Sequence, residues 1–188
     1  MDKNYRGLMH RGFVGELKST IKSVTSLEEF LDGPAIEKNS VIVALDSISD
    51  QQNLGAMIRS CYFFGASLMV CEIRNSAPID HMTHRCSAGA SLRQPLHWAN
   101  KLSDALQVLK EKNFTIVGAV TERHPKAQPY QQLKLQTKTV LIVGNEENGL
   151  RPHVLRFCDH LTTIKRKTNF DSLNVSVSLG ILLAHLNK

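Results

Sequence analysis

Three polar, glycine-bearing segments carry the side chains with the most chemical potential in this sequence. The first holds Asn53, Gly55 and Arg59, an amide six residues ahead of a guanidinium. The second holds Gly144, Glu146 and Gly149, a carboxylate between two glycines. The third, Ser172 to Ser176, offers the Ser172 hydroxyl and the Asn174 amide, with Leu173 between them. Such groups orient a ligand, accept its protons or stabilise charge that develops on it. Gly144–Leu150 lacks the Gly-Lys-Ser/Thr ending of a phosphate loop, and no G-x-G-x-x-G follows a strand, which argues against an ATPase and a dinucleotide-dependent oxidoreductase.

The elements around these segments explain why the three belong together. Ser40–Asp46, Ser67–Ile73, Phe114–Val120, Lys138–Gly144 and Leu161–Lys165 are short apolar runs that read as strands. Between them, helices are expected from Ser26 (a capping box with Glu29) to Gly33, over Leu54–Phe64, over His81–Arg85, and from a Ser103 cap to Lys112. Two more are expected from Pro152 to about Cys158 and over Ser172–Leu186. Continuous apolar strands alternating with helices predict an α/β fold, a mostly parallel sheet covered on both faces. In such sheets ligands bind beyond the carboxyl ends of the strands, where all three polar segments fall. Residues 1–24 read as a basic arm or linker, and 25–188 as one domain.

Composition sets the wider bounds. The 188 residues are 42% hydrophobic and 21% charged, as a folded globular domain requires. No apolar run is long enough to cross a bilayer, and Met1–Arg11 has no signal-peptide pattern, so a cytoplasmic protein is expected, or a mitochondrial one if a presequence was removed. A net charge of +6 favours polyanionic partners such as nucleic acid. Cys61, Cys71, Cys86 and Cys158 lack C-x-x-C spacing and read as reduced, buried thiols. His81, His84 and Cys86 lack a fourth ligand at a sensible spacing, so no metal is expected.

The three segments in this order resemble the motifs of the SPOUT superfamily of RNA methyltransferases, in its TrmH (SpoU) branch. The resemblance covers Val41 to Lys188 and rests on Asn53-x-Gly55 with Arg59 and Phe64-Gly65, on Gly144-x-Glu146-x-x-Gly149, and on Ser172-Leu-Asn-Val-Ser176. It implies a C-terminal trefoil knot, an exception to the rule against threaded chains. It implies transfer of a methyl group from S-adenosylmethionine to a ribose 2′-hydroxyl of structured RNA. Main-chain groups of Gly144, Ile164 and Leu173 would hold the donor, and glycine at 144 lets a ligand approach closely. Arg59 would activate the 2′-hydroxyl or stabilise the developing alkoxide, with Asn53 orienting it or the ribose. Glu146, Ser172 and Asn174 would contact substrate or shape the site.

Each residue also has a plainer reading. Arg59 suits a solvated helix surface, Asn53 a helix cap, Glu146 a carboxylate at a helix entry, and Ser172 and Asn174 the cap of the last helix. Lys165-Arg166-Lys167 and Asp171 depart from the family pattern; the basic run either grips an RNA backbone or is a solvated charge run. Members of the family are typically homodimers with the final helix in the interface. His10-Arg11-Gly12-Phe13-Val14 resembles the linker of the ribosomal RNA guanosine branch, which favours large-subunit rRNA over tRNA as substrate. A non-catalytic RNA-binding or ribosome-assembly protein of the same fold is the rival from another class.

Overall fold

The computed structural model describes residues 21–133, 138–169 and 172–187. The linker motif at 10–14 and Asp171 lie outside these. The described strands are β1 (Ser23–Val24), β2 (Val41–Asp46), β3 (Leu68–Glu72), β4 (Leu96–Ala99), β5 (Thr115–Ala119), β6 (Gln128–Pro129), β7 (Thr139–Gly144) and β8 (His160–Thr163). They form one sheet in the order β1-β4-β3-β2-β7-β5-β8-β6, and every pairing is parallel. The helices are α1 (Leu27–Leu31), α2 (Gln51–Phe63), α3 (His81–Cys86), α4 (Leu102–Glu111), α5 (Pro152–Leu155) and α6 (Val175–Leu186).

The period of two along a strand divides the interior into two cores. Val43 and Leu45 of β2, with Leu141 and Val143 of β7, pack against Leu54, Met57 and Ile58 of α2 and Leu179, Leu182 and Leu183 of α6. Their alternates Ile42, Ala44, Val140 and Ile142 meet Leu27 and Leu31 of α1, Leu102, Leu106 and Leu109 of α4, and Val154 of α5. Burial on both faces is why β2 and β7 read as unbroken apolar runs.

The chain leaves β2 through α2 towards β3, and leaves β7 through α5 towards β8 on the opposite side. Adjacent strands whose connections depart in opposite directions create a crevice at their carboxyl ends. That crevice lies between Asp46 and Gly144, which are register partners.

Several expected boundaries shift for identifiable reasons. Helix α2 begins at Gln51, three residues early, because Asp50 caps it by accepting from the Asn53 backbone N–H at 2.7 Å. Asn53 is therefore inside the first turn and is not the cap. Ser103 does not cap α4; the N-cap is Lys101, and the Ser103 hydroxyl donates to Asp104. The cap of α6 is Asn174, and Ser172 lies ahead of it. Helix α5 ends at Leu155, short of Cys158. Strand β1 falls at the end of the expected arm and pairs with β4.

Candidate active site

Asn53, Glu146 and Asn174 meet beyond the carboxyl ends of β2 and β7. The Asn174 amide donates to Asn53 Oδ1 at 2.9 Å, and Asn53 Nδ2 donates to Glu146 Oε1. Helix capping sets the direction of this chain. Asn174 Oδ1 accepts from the backbone N–H groups of Ser176 and Val177 at 2.8 and 3.4 Å, which leaves its NH₂ to donate outward. Asn53 then accepts with its carbonyl and donates with its NH₂ to a carboxylate that, ionised, can only accept. Asn174 thus caps α6 with its carbonyl and reaches Asn53 with its amide at once, so capping does not preclude a second role.

Glu146 stands in a tightly wound turn and not at a helix entry. The Gly149 N–H donates to the Asn145 carbonyl at 2.8 Å, and Asn145 Oδ1 accepts from the Glu147 N–H at 2.9 Å. Gly149 takes φ +62°, a left-handed conformation. At Gly144 a Cβ would lie 2.3 Å from Gly149 C and O and 2.6 Å from Leu150 N. Glycine at 144 is thus required by the turn closing on its own strand, a reason apart from ligand approach. Gly55 is a packing glycine: a Cβ there would lie 2.6 Å from Cys86 Cβ and 3.0 Å from the Thr83 carbonyl, so α2 could not settle on α3.

Arg59 is exposed on α2, and among the described residues no hydrogen bond or ion pair holds it. It is not brought to the Asn53–Glu146–Asn174 chain. Ser172 and Leu173 are exposed beside Asn174, and Ile164 is half-buried against the core just past β8. Lys165, Arg166 and Lys167 are exposed, with the Arg166 Nε held by Glu122 Oε1 at 2.5 Å, so at least that residue of the basic run is tied to the loop after β5.

A second polar group beneath the site has no counterpart in the motifs. Arg151 donates from its backbone N–H to Asp46 Oδ2 at 2.8 Å, from Nε to Asp46 Oδ1 at 2.5 Å, and from Nη2 to Glu72 Oε2 at 2.5 Å. Both carboxylates are buried at strand ends. The signal that could have found them is an acid closing an apolar strand, as in V-I-V-A-L-D and L-M-V-C-E, because a buried carboxylate needs a partner.

Burial alone would push the Glu72 carboxyl up. Hydrogen bonds from Asn75 and Arg151, the guanidinium charge and the Leu102 N–H outweigh it and hold the group below the usual carboxylate range. A folded-state value below the unfolded one gives stability that is present above the unfolded pKa and lost as pH falls through the folded one. The thermal midpoint should therefore drop as pH falls below the ordinary glutamate range, and Glu72→Gln should flatten that acid limb. Equal acid slopes in the two proteins would refute the assignment.

A small polar group on α3 and the turn after it is engaged locally. His84 Nδ1 pairs with Ser91 Oγ at 2.7 Å, and Ser91 Oγ accepts from Ser87 Oγ at 2.9 Å. Among the described residues no cluster of three or more His, Cys, Asp or Glu could hold a metal. Cys61 and Cys71 are buried, and burial pushes the Cys71 thiol up to about 12. Cys86 and Cys158 are only partly buried, unlike the expectation for all four. No helix among the described residues is long and apolar enough to cross a membrane.

Comparison with known proteins matches residues 40–184 to the SpoU rRNA Methylase family. A mitochondrial rRNA methyltransferase 1 of Dictyostelium discoideum is 34% identical over 151 residues, covering 78% of this chain and 28% of that protein. A solved RNA 2′-O ribose methyltransferase is 25% identical with a TM-score of 0.67, over 95% of this chain and 60% of that one. The SpoU methyltransferase AviRb of Streptomyces viridochromogenes, solved in complex with AdoMet, shares the fold at a TM-score of 0.73 and 21% identity, over 81% of this chain and 58% of its own. The chain thus spans under a third of the Dictyostelium relative and about three fifths of each solved chain.

Proposed function

The chain belongs to the SpoU rRNA methylase family, and on that footing we propose that it transfers a methyl group from S-adenosylmethionine to a ribose 2′-hydroxyl of RNA. The observation that carries this reading is the meeting of Asn53, Glu146 and Asn174. They come from three separate segments, with Glu146 93 positions and Asn174 121 positions along the chain from Asn53. Each belongs to one of the three segments on which the family resemblance rests.

The donor, when bound, supplies an electrophilic methyl group on a positively charged sulfur. Residues beyond the ends of β7 and β8 fit such a molecule. Half-buried Ile164 and exposed Leu173 offer apolar contact beside β8 and α6, and the last turn of β7 offers main-chain groups at Gly144. The chain's own side chains have complementary tasks. Asn53 and Glu146 present an amide and a carboxylate fixed relative to one another, able to orient a ribose. A guanidinium is a poor base, so the task proposed for Arg59 is electrostatic: to hold an RNA phosphate and stabilise negative charge growing on the 2′-oxygen. The C-terminal trefoil knot belongs to the same proposal, supported by the return of the chain from β8, beyond β5, to lay α6 upon α2.

A homodimer is part of the reading. Helix α6 buries Val175, Leu179, Leu182 and Leu183, yet its other side carries Val177, Ile181 and Ala184, with Val177 50% exposed. A helix with apolar residues on two opposite sides is normally covered on both. Helix α2, packed on α6, adds exposed Tyr62 and Phe63, the latter 80% exposed. Val177→Asp would place an unpaired charge in such an interface and should weaken self-association about a hundredfold. Sedimentation velocity of the two proteins checks this; a native protein that is monomeric at micromolar concentration would contradict it.

The reaction itself is tested with purified protein, tritiated donor, and rRNA and tRNA supplied separately, followed by digestion to nucleosides. Label in rRNA as 2′-O-methylguanosine is the expected result. Label in tRNA would keep the chemistry and move the substrate. Label on a base would overturn the ribose assignment, and absence of transfer together with absence of donor binding by calorimetry would overturn the enzyme.

A further inference from the structure

The buried ion cluster under the site is costly to build and touches none of the groups assigned to the chemistry. Asp46 is wholly buried, Glu72 nearly so, and one guanidinium serves both. Replacing such clusters by apolar residues often stabilises a protein, so their presence asks for a role other than stability. Position supplies one. Arg151 directly follows the 145–150 turn and anchors its trailing end to Asp46. The leading end is anchored by Asn145 Nδ2, which donates to the Ser47 carbonyl at 3.1 Å. Ser47 is itself held at φ +63°, a left-handed conformation uncommon for serine. Both ends of the turn bearing Glu146 are therefore fastened to adjacent residues, Asp46 and Ser47, and these lead within four residues to the Asp50 cap of α2, which carries Asn53.

We propose that Arg151 is a positioning residue that sets the placement of Glu146 against Asn53 by clamping the 145–150 turn to the end of β2, with Glu72 as the second anchor that fixes the guanidinium plane. Its importance for turnover rests on the reading of the site as that of a methyltransferase; the clamp itself does not. Arginine is needed because two guanidinium donors, Nε and Nη2, must reach two carboxylates at once, and an ammonium group reaches them only as a single point of charge.

The test compares the full chain with Arg151→Lys, which retains the charge, and Glu72→Gln, which keeps the shape and removes one anchor. The first readout is the side-chain amide resonances of Asn53 by nitrogen-15 NMR, with Glu146→Gln marking the position reached when the carboxylate contact is lost. Arg151→Lys should move the Asn53 amide towards that position, with Glu72→Gln in between. The second is steady-state kinetics, in which kcat should fall about tenfold or more while the donor dissociation constant stays within about twofold, as for misplacement of a group in a formed site. Should Arg151→Lys fail to fold, the same two measurements on Glu72→Gln decide the matter. An Asn53 amide at its native position in the folded variant overturns the clamp, and a native kcat alongside a displaced amide overturns its part in turnover. If the native protein transfers no methyl group, the methyltransferase reading falls while the NMR comparison still decides the clamp.

Discussion

Gly144→Ala should unfold the 145–150 turn and cost at least about 3 kcal/mol of stability, the range of severe backbone and packing clashes. The added Cβ would stand 2.3 Å from both the carbon and the oxygen of Gly149 and 2.6 Å from Leu150 N. All three are backbone atoms, so no rotamer change relieves the contact. Relief comes only by opening the Asn145–Gly149 bridge, and that displaces Glu146 and pulls on Arg151. Gly149→Ala provides the control within the same motif. At φ +62° with nothing within 4 Å, alanine there meets only the left-handed penalty, about 1–2 kcal/mol. Urea denaturation of the two variants should rank them in that order, and donor binding by calorimetry should vanish in Gly144→Ala alone. A mild Gly144→Ala, or equal effects at the two glycines, would show that the turn opens without consequence.

Strands β2, β3, β5 and β7 were legible because each is buried on both faces and so reads as an unbroken apolar run. Strand β4 was not, since Leu-His-Trp-Ala holds a half-exposed His97 and Trp98 near the sheet edge. The two-residue strands Ser23–Val24 and Gln128–Pro129 have no pattern to detect. The start of α2 was misplaced because Asp50, Gln51 and Gln52 look like loop until Asp50 is seen capping. At the site, spacing alone could not bring together Asn53, Glu146 and Asn174, because each contact spans about half the chain or more. Only resemblance to a known set of motifs placed them at one site. Arg151 lay outside those motifs, and its role emerged when two buried acids were found sharing it.

Arg59→Ala should lower kcat by about 10²–10³ while leaving the fold intact, the loss typical when a preorganised donor to developing negative charge is removed. The two halves of this expectation rest on the same geometry. Arg59 is exposed and, among the described residues, makes no ion pair or hydrogen bond, so truncation removes no internal contact. Six residues beyond Asn53, it stands roughly 120° around α2 and about 9 Å along it. It therefore reaches out to solvent rather than into the Asn53–Glu146–Asn174 chain, as a group reserved for a ligand would. Arg59→Lys discriminates between the ways a cation can act. If the residue supplies only positive charge to a phosphate or an alkoxide, lysine should recover most of the lost rate; if it grips two oxygens with its planar fork, lysine should recover little. Donor affinity and thermal midpoint should match the native protein in both variants. Native turnover in Arg59→Ala would return Arg59 to the solvated surface of α2, and a lowered thermal midpoint would assign it to the fold.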